Sequence, residues 1–147
     1  SLVGSEMCIR DRHNLETKAV PPRYWPVWIG LDYQDRAALY RRIDLRVENM
    51  LSDGLLDEIR ALLALGVSPK TTAMQAIGYK EFFGYLSGAC SLDEAAALCK
   101  QRSRNYAKRQ LTWFRRNPDV HWLRMTGTED FSEVLSAARQ NIPFSAL

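Results

Sequence analysis

Val27-Trp28-Ile29-Gly30-Leu31 is a short apolar run with Pro26 on one side and turn or capping residues on the other, and it reads as a buried β-strand. Towards the other end of the chain, His121-Trp122-Leu123-Arg124-Met125 reads as a second short strand. The chain between them is helical in pattern. Asp32 to Asp35 opens a helix, and over Arg36 to Met50 the residues Leu39, Ile43, Val47 and Met50 recur at helical spacing and define a core stripe. Ser52-Asp53-Gly54 breaks it. A second helix is expected from about Leu55 to Leu65, with Gly66 as its C-terminal cap.

Val67 to Ala76 carries Pro69, Thr71 and Thr72 without a clean period, and reads as a loop leading into a helix start. Gly78, between Ile77 and Tyr79 and just ahead of Glu81-Phe82-Phe83, suggests a kink or a close backbone approach. Ser91-Leu92-Asp93-Glu94 has the form of a capping box, in which hydroxyl and carboxylate satisfy backbone donors reciprocally. A long helix should follow to about Arg116, stopped by Pro118. Thr128 to Arg139 reads as a terminal helix with Phe131, Val134, Leu135 and Ala138 inward.

Two strands at opposite ends of a helical chain have a consequence, because an isolated two-stranded pairing is marginal in water. They fit best as members of the parallel sheet of an α/β domain with further strands. The expectation is therefore a mainly α-helical chain with two short strands, belonging to an α/β protein.

With 147 residues, 46% hydrophobic and 25% charged, the chain suits one globular domain and is too polar to be embedded in a membrane. Its net charge of +3 does not announce a nucleic-acid binder, so local charge must decide. Cys8, Cys90 and Cys99 form no CxxC pair, and His13 and His121 are isolated. That is neither a metal spacing nor a disulfide framework, and it points to a reduced, cytosolic protein with passive thiols. Residues 1–12, SLVGSEMCIRDR, fit no secretory pattern and resemble translated vector or adapter sequence. They read as a non-native leader ahead of residues 13–147.

The most informative stretch runs from Lys100 to Arg116. Lys100, Arg102, Arg104, Lys108, Arg109, Arg115 and Arg116 supply positive charge, and no acid interrupts between Glu94 and Asp119. Arg102, Arg109 and Arg116 recur every seven residues and stay roughly on one face, with Tyr106 and Trp113 within a turn of it. A solvated basic face is the ordinary outcome of such a run. Without interleaved acids for pairing along the helix, a phosphate-tracking groove with aromatic side chains that stack on unpaired bases is favoured. Arg42 and Arg46, one turn apart, are either surface partners of Asp44, Glu48 or Asp35, or a guanidinium clamp on a diphosphate. The Gly78-Tyr79-Lys80 corner is either a helix start with a core tyrosine or a contact to a ribose-phosphate chain. No phosphate-binding G-x-x-x-x-G-K-[ST] loop, nucleophile elbow or set of metal-spaced carboxylates is present.

Four segments then occur in order: Leu39-Tyr40-Arg41-Arg42-Ile43-Asp44-Leu45-Arg46, Gly54-Leu55-Leu56-Asp57-Glu58, Gln75-Ala76-Ile77-Gly78-Tyr79-Lys80-Glu81, and Tyr106-Ala107-Lys108-Arg109-Gln110-Leu111-Thr112-Trp113-Phe114-Arg115. Over about Trp25 to Leu123 the chain resembles the C-terminal portion of bacterial tRNA dimethylallyltransferases. The resemblance implies transfer of a dimethylallyl group from dimethylallyl diphosphate to N6 of the adenosine 3′ of the anticodon, in tRNAs that read codons beginning with U. It implies a P-loop NTPase-like three-layer core, Mg²⁺, a base turned out of the anticodon stack, a monomer and a cytoplasmic location. It further implies that Gln75, Ala76, Ile77, Gly78, Tyr79 and Lys80, and Lys108, Arg109, Gln110, Leu111, Thr112, Trp113, Phe114 and Arg115, contact the tRNA anticodon stem-loop. Arg46, ahead of Arg42, is the candidate for holding the diphosphate. The family's phosphate-binding loop, general-base aspartate and its threonine partner, and most of its Mg²⁺ site, would lie upstream of Trp25, so no catalytic residue is assigned here and the chain is expected to be inactive alone. A stand-alone RNA-binding module and a helical domain docking an acidic partner are the competing readings.

Overall fold

The computed structural model describes residue 24 and residues 26–142; residues 1–12, which the sequence reading expects to be a non-native leader, lie outside them. The element order is β1 (Trp28–Tyr33), α1 (Arg36–Ser52), α2 (Leu55–Ala64), a 3₁₀ turn (Lys80–Phe82) running into the short α3 (Phe83–Leu86), α4 (Leu92–Phe114), β2 (Val120–Met125) and α5 (Phe131–Arg139). The two strands pair with each other in parallel, from Trp28 opposite Val120 to Tyr33 opposite Met125. Parallel strands need a crossover, and here α1 to α4 together provide it.

Gly30 lies opposite Trp122 in this ladder. A Cβ at that position would sit 2.7 Å from both the Trp122 ring and Val120. Glycine is thus what lets the indole lie across β1.

Asp32 is where the sequence reading needs correction. It belongs to β1 and is 4% exposed, and the helix start falls to Asp35, whose carboxylate accepts from the backbone N–H of Ala37 and Ala38. Along α1, Val47 is buried and Leu39, Ile43 and Met50 are half-buried, so the apolar stripe faces inward. After α2, Gly66 donates to the Leu63 carbonyl and Val67 to that of Leu62, the paired bonds of a glycine-terminated helix. Residues 67–76 form turns and no helix. They hold Met74 in the core and let Gln75 donate from its amide to the Pro69 carbonyl at 2.8 Å.

The core lies among α1, α2, the 74–82 segment and α4, and consists of Val47, Leu55, Ile59, Met74, Phe82, Ala95 and Cys99. The capping box at Ser91 and Glu94 is formed and starts α4 where the sequence places it. A second box, Asp130 with Glu133, starts α5. On α5 the expected inward set is only half right: Val134 and Ala138 are half-buried, but Phe131 is 81% exposed and Leu135 faces solvent. The helix packs chiefly on β2, and one edge of its apolar stripe is left to solvent.

Between β2 and α5, Glu129 folds back on its own turn. Its carboxylate accepts from the Thr126 N–H at 2.6 Å, the Thr126 hydroxyl at 2.7 Å and the Gly127 N–H at 2.8 Å. These bonds, the Thr126 N–H first, lower its pKa from 4.5 to about 2. A folded pKa held below the ordinary value contributes stability above pH 4.5 that is lost as pH falls towards 2. The Gly127 amide resonance, followed by NMR against pH, should therefore hold constant down to about pH 4 and move at lower pH, and Glu129→Gln should abolish that transition.

Candidate functional site

The positive charge of α4 is divided between two jobs. Four of its seven cations, counting Arg115 and Arg116 at its end, are paired with acids from other elements. Lys100 reaches Glu48 at 2.6 Å, Arg102 reaches Glu81 at 2.9 Å, Arg104 reaches both oxygens of Asp44 at 2.8 Å, and Arg115 reaches Asp32 at 2.6 Å. Lys108, Arg109 and Arg116 have no ion-pair partner among the described residues. With Asn105, Thr112 and Trp113 they line an open groove on the outer side of the helix. Trp113 is 62% exposed there, and the Arg109 guanidinium lies 5.6 Å from the centre of the Tyr106 ring. Arg102, on the same seven-residue spacing, is held by Glu81 and does not line this groove.

Glu81 is a fully buried carboxylate. It accepts from Arg102 and, at 2.8 Å, from the backbone N–H of Gly78. Gly78 has φ +107°, and a Cβ there would meet the Met50 methyl at 3.2 Å. The close approach expected from the sequence is thus present, and only glycine takes that conformation without strain. Tyr79, the next residue, turns the other way and donates its hydroxyl to Glu58 on α2. That bond first, then burial and the Glu58 charge, raise the tyrosine pKa. Two carboxylates thus clamp the corner from opposite sides.

The clamped corner forms one wall of a second groove, of about 660 Å³. Ala76, Ile77 and Gly78 face Arg46 from α1 and Tyr106 and Gln110 from α4 across it. Arg42 and Arg46 also border a neighbouring groove that reaches Phe131. The ordinary role for these two arginines, surface pairing, is taken up elsewhere: Asp44 holds Arg104, Glu48 holds Lys100, and Asp35 caps α1 and lies 3.6 Å from Arg41. Neither Arg42 nor Arg46 has an ion partner among the described residues.

The remaining candidates fall on other faces. Leu111 and Phe114 face the strands, Gln110 borders both the strand side and the Arg46 groove, and Arg115 holds Asp32. Lys80 is half-buried in the 3₁₀ turn. Cys99 is a buried thiol whose pKa is raised, first by burial and then by the Glu81 charge, which suits an inert core residue. No group of three or more His, Cys, Asp or Glu side chains able to hold a metal occurs among the described residues. These residues do not fit a Mg²⁺ site.

A family model for IPP transferase matches residues 6–117. The chain belongs to the IPP transferase family. Among its relatives, tRNA dimethylallyltransferase 1 of Citrifermentans bemidjiense is 53% identical over 94 residues, which cover 64% of this chain and 31% of that protein. tRNA dimethylallyltransferase 1 of Pelobacter propionicus is 45% identical over 125 residues, which cover 85% of this chain and 40% of that protein. The crystal structure of the full-length tRNA isopentenylpyrophosphate transferase of Bacillus halodurans matches with a TM-score of 0.72 at 40% identity, covering 84% of this chain and 40% of that one. A second, from Staphylococcus epidermidis, matches with a TM-score of 0.68 at 39% identity, covering 80% and 39%. The chain thus spans about two-fifths or less of the length of these proteins. No helix among the described residues is long and apolar enough to cross a membrane.

The Glu81 clamp gives an asymmetric prediction. Arg102→Ala leaves a buried carboxylate without its counter-charge and should cost about 3 kcal/mol. Glu81→Gln keeps an acceptor for the Gly78 N–H and should cost only about 1 kcal/mol. Urea denaturation of both variants checks the order; equal losses would mean that Glu81 is not held by Arg102.

Proposed function

We propose that this chain forms the nucleic-acid-facing and diphosphate-facing part of a transferase that moves a dimethylallyl group from dimethylallyl diphosphate to N6 of the adenosine 3′ of the anticodon. The observation that carries the proposal is the groove between the clamped corner and α1. Arg46, without an acid partner, lines it together with Ala76 to Gly78, Tyr106 and Gln110. An unpaired guanidinium beside an aromatic ring and exposed backbone suits a diphosphate on one side and a base turned out of its stack on the other.

In the reaction, the exocyclic amine attacks the allylic carbon, the C–O bond breaks with its electron pair leaving on diphosphate, and the amine loses a proton. Arg46, with Arg42 next to it, would stabilise the charge that develops on the leaving group. The base that takes the proton, the phosphate-binding loop and the Mg²⁺ ligands are proposed to belong to the part of the relatives that this chain does not span. The exposed edges and faces of the two strands support the same view. Val27, Trp28 and Leu31 are 42%, 40% and 54% exposed, whereas parallel sheets are normally covered on both faces. Their completion into the larger parallel sheet of a P-loop NTPase-like, cytoplasmic enzyme is part of the proposal.

Lys108, Arg109, Arg116 and Trp113 form the face proposed to follow the anticodon stem-loop, with the indole as a stacking platform. Because that face needs nothing beyond the described residues, a stand-alone RNA-binding module is the second reading.

Prenyl transfer to an anticodon stem-loop, measured after fusing the missing portion of a relative ahead of this chain, separates the two. Arg46→Ala should raise KM for dimethylallyl diphosphate roughly ten- to hundredfold with little change in RNA affinity, the size of one lost charge-assisted contact. Arg109→Ala should do the reverse. A fused protein that binds RNA and never transfers a prenyl group would leave the RNA-binding module as the better account.

A further inference from the structure

At the carboxyl ends of the two parallel strands lies a smaller basin, of about 250 Å³. Ligands of open α/β sheets sit outside the carboxyl ends of the strands, so the position itself invites one. Four cations line the basin: Arg36 from the first turn of α1, Lys108 from α4, Arg115 beyond the end of α4, and Arg124 from β2. The only acid lining it is Asp32.

The charge does not balance. Arg115 and Arg124 both donate to the same oxygen of Asp32, at 2.6 and 2.9 Å, so one buried carboxylate serves two guanidinium groups that are each about half exposed. Arg36 and Lys108 have no ion-pair partner among the described residues. Four positive charges against one negative charge in a concave site would repel one another unless an anion joined them. Tyr40 also lines the basin and offers a hydroxyl donor to such an anion.

Lys108 and Thr112 line both this basin and the Trp113 groove. The two are therefore adjoining stretches of one positive surface. We infer that the basin seats a backbone phosphate of the same RNA whose loop lies against Trp113, with Arg36 and Arg124 as phosphate contacts. This rests on the proposed RNA face and extends it by two residues from elements outside α4. A phosphate contact positions the strand and carries no base preference.

The test is the affinity of a fluorescently labelled anticodon stem-loop for the whole chain, read by anisotropy across a salt series. Arg36 is exposed and unpaired, so Arg36→Ala removes no internal partner, and its circular dichroism melt should match that of the unaltered chain. The variant should bind roughly fivefold more weakly, with a log–log salt slope shallower by about one. The loss should be the same for a stem-loop of scrambled loop sequence, and Arg36→Lys should recover most of it. If Arg36→Ala binds as the unaltered chain does while Arg109→Ala is weakened, the basin holds no phosphate and the RNA face stands. If neither substitution alters binding, both readings fall.

Discussion

Pairing between the cations of α4 and acids on other elements fixes the rotation of that helix, and the functional surfaces follow from the setting. Asp32 and Glu81 are the two buried charged side chains among the described residues; Glu81 is answered by Arg102 in the middle of the helix and Asp32 by Arg115 at its C-terminal end. Taking a carboxylate out of water is expensive unless a cation and good hydrogen bonds meet it. Turning α4 about its axis would strand Glu81 and take one of its two arginines from Asp32. The half-exposed pairs with Glu48 and Asp44 act in the same sense but weigh less, since water screens them.

With that rotation set, the leftover charge has a defined place. Lys108, Arg109 and Arg116 pair with no acid among the described residues and lie along one groove with Trp113, while Tyr106 and Gln110 line the groove facing α1. Glu81 links the helix to the other half of the site, because the carboxylate that binds Arg102 also holds the Gly78 N–H. One side chain thereby positions both a helix and the corner that faces it. Glu58, through Tyr79, steadies the same corner from α2, which gives the Gly54–Glu58 segment a positioning role in place of a direct contact.

Local chemistry was legible in the sequence, and long-range charge pairing was not. The capping box at Ser91, the core stripe of α1, the glycine after α2 and the close approach at Gly78 each rest on residues within one turn of each other, and each is present. Of the residues expected to open α1, Asp35 is the cap, whereas Asp32 stays in β1, where Arg115 and Arg124 meet it. The basic helix read as a continuous stripe because its acids come from Glu48, Asp44, Glu81 and Asp32, distant in sequence. Phe131 and Leu135 carried the period of a buried face, but burial needs a partner surface as well as a pattern, and α5 packs chiefly on β2. The unpaired state of Arg42 and Arg46 follows from the same distant pairings, since the acids beside them in sequence are taken.

Fluorine NMR of the chain labelled with 5-fluorotryptophan, titrated with an anticodon stem-loop, tests the central claim most directly. Trp113 lies on the outward face that the ion pairs leave to α4, whereas Trp122 rests on Gly30 and Trp28 lies in β1. A shift of the Trp113 resonance, assigned by Trp113→Phe, with Trp28 and Trp122 unmoved, is the result expected. A shift confined to Trp28 and Trp122 would place the RNA on the strands and contradict the account.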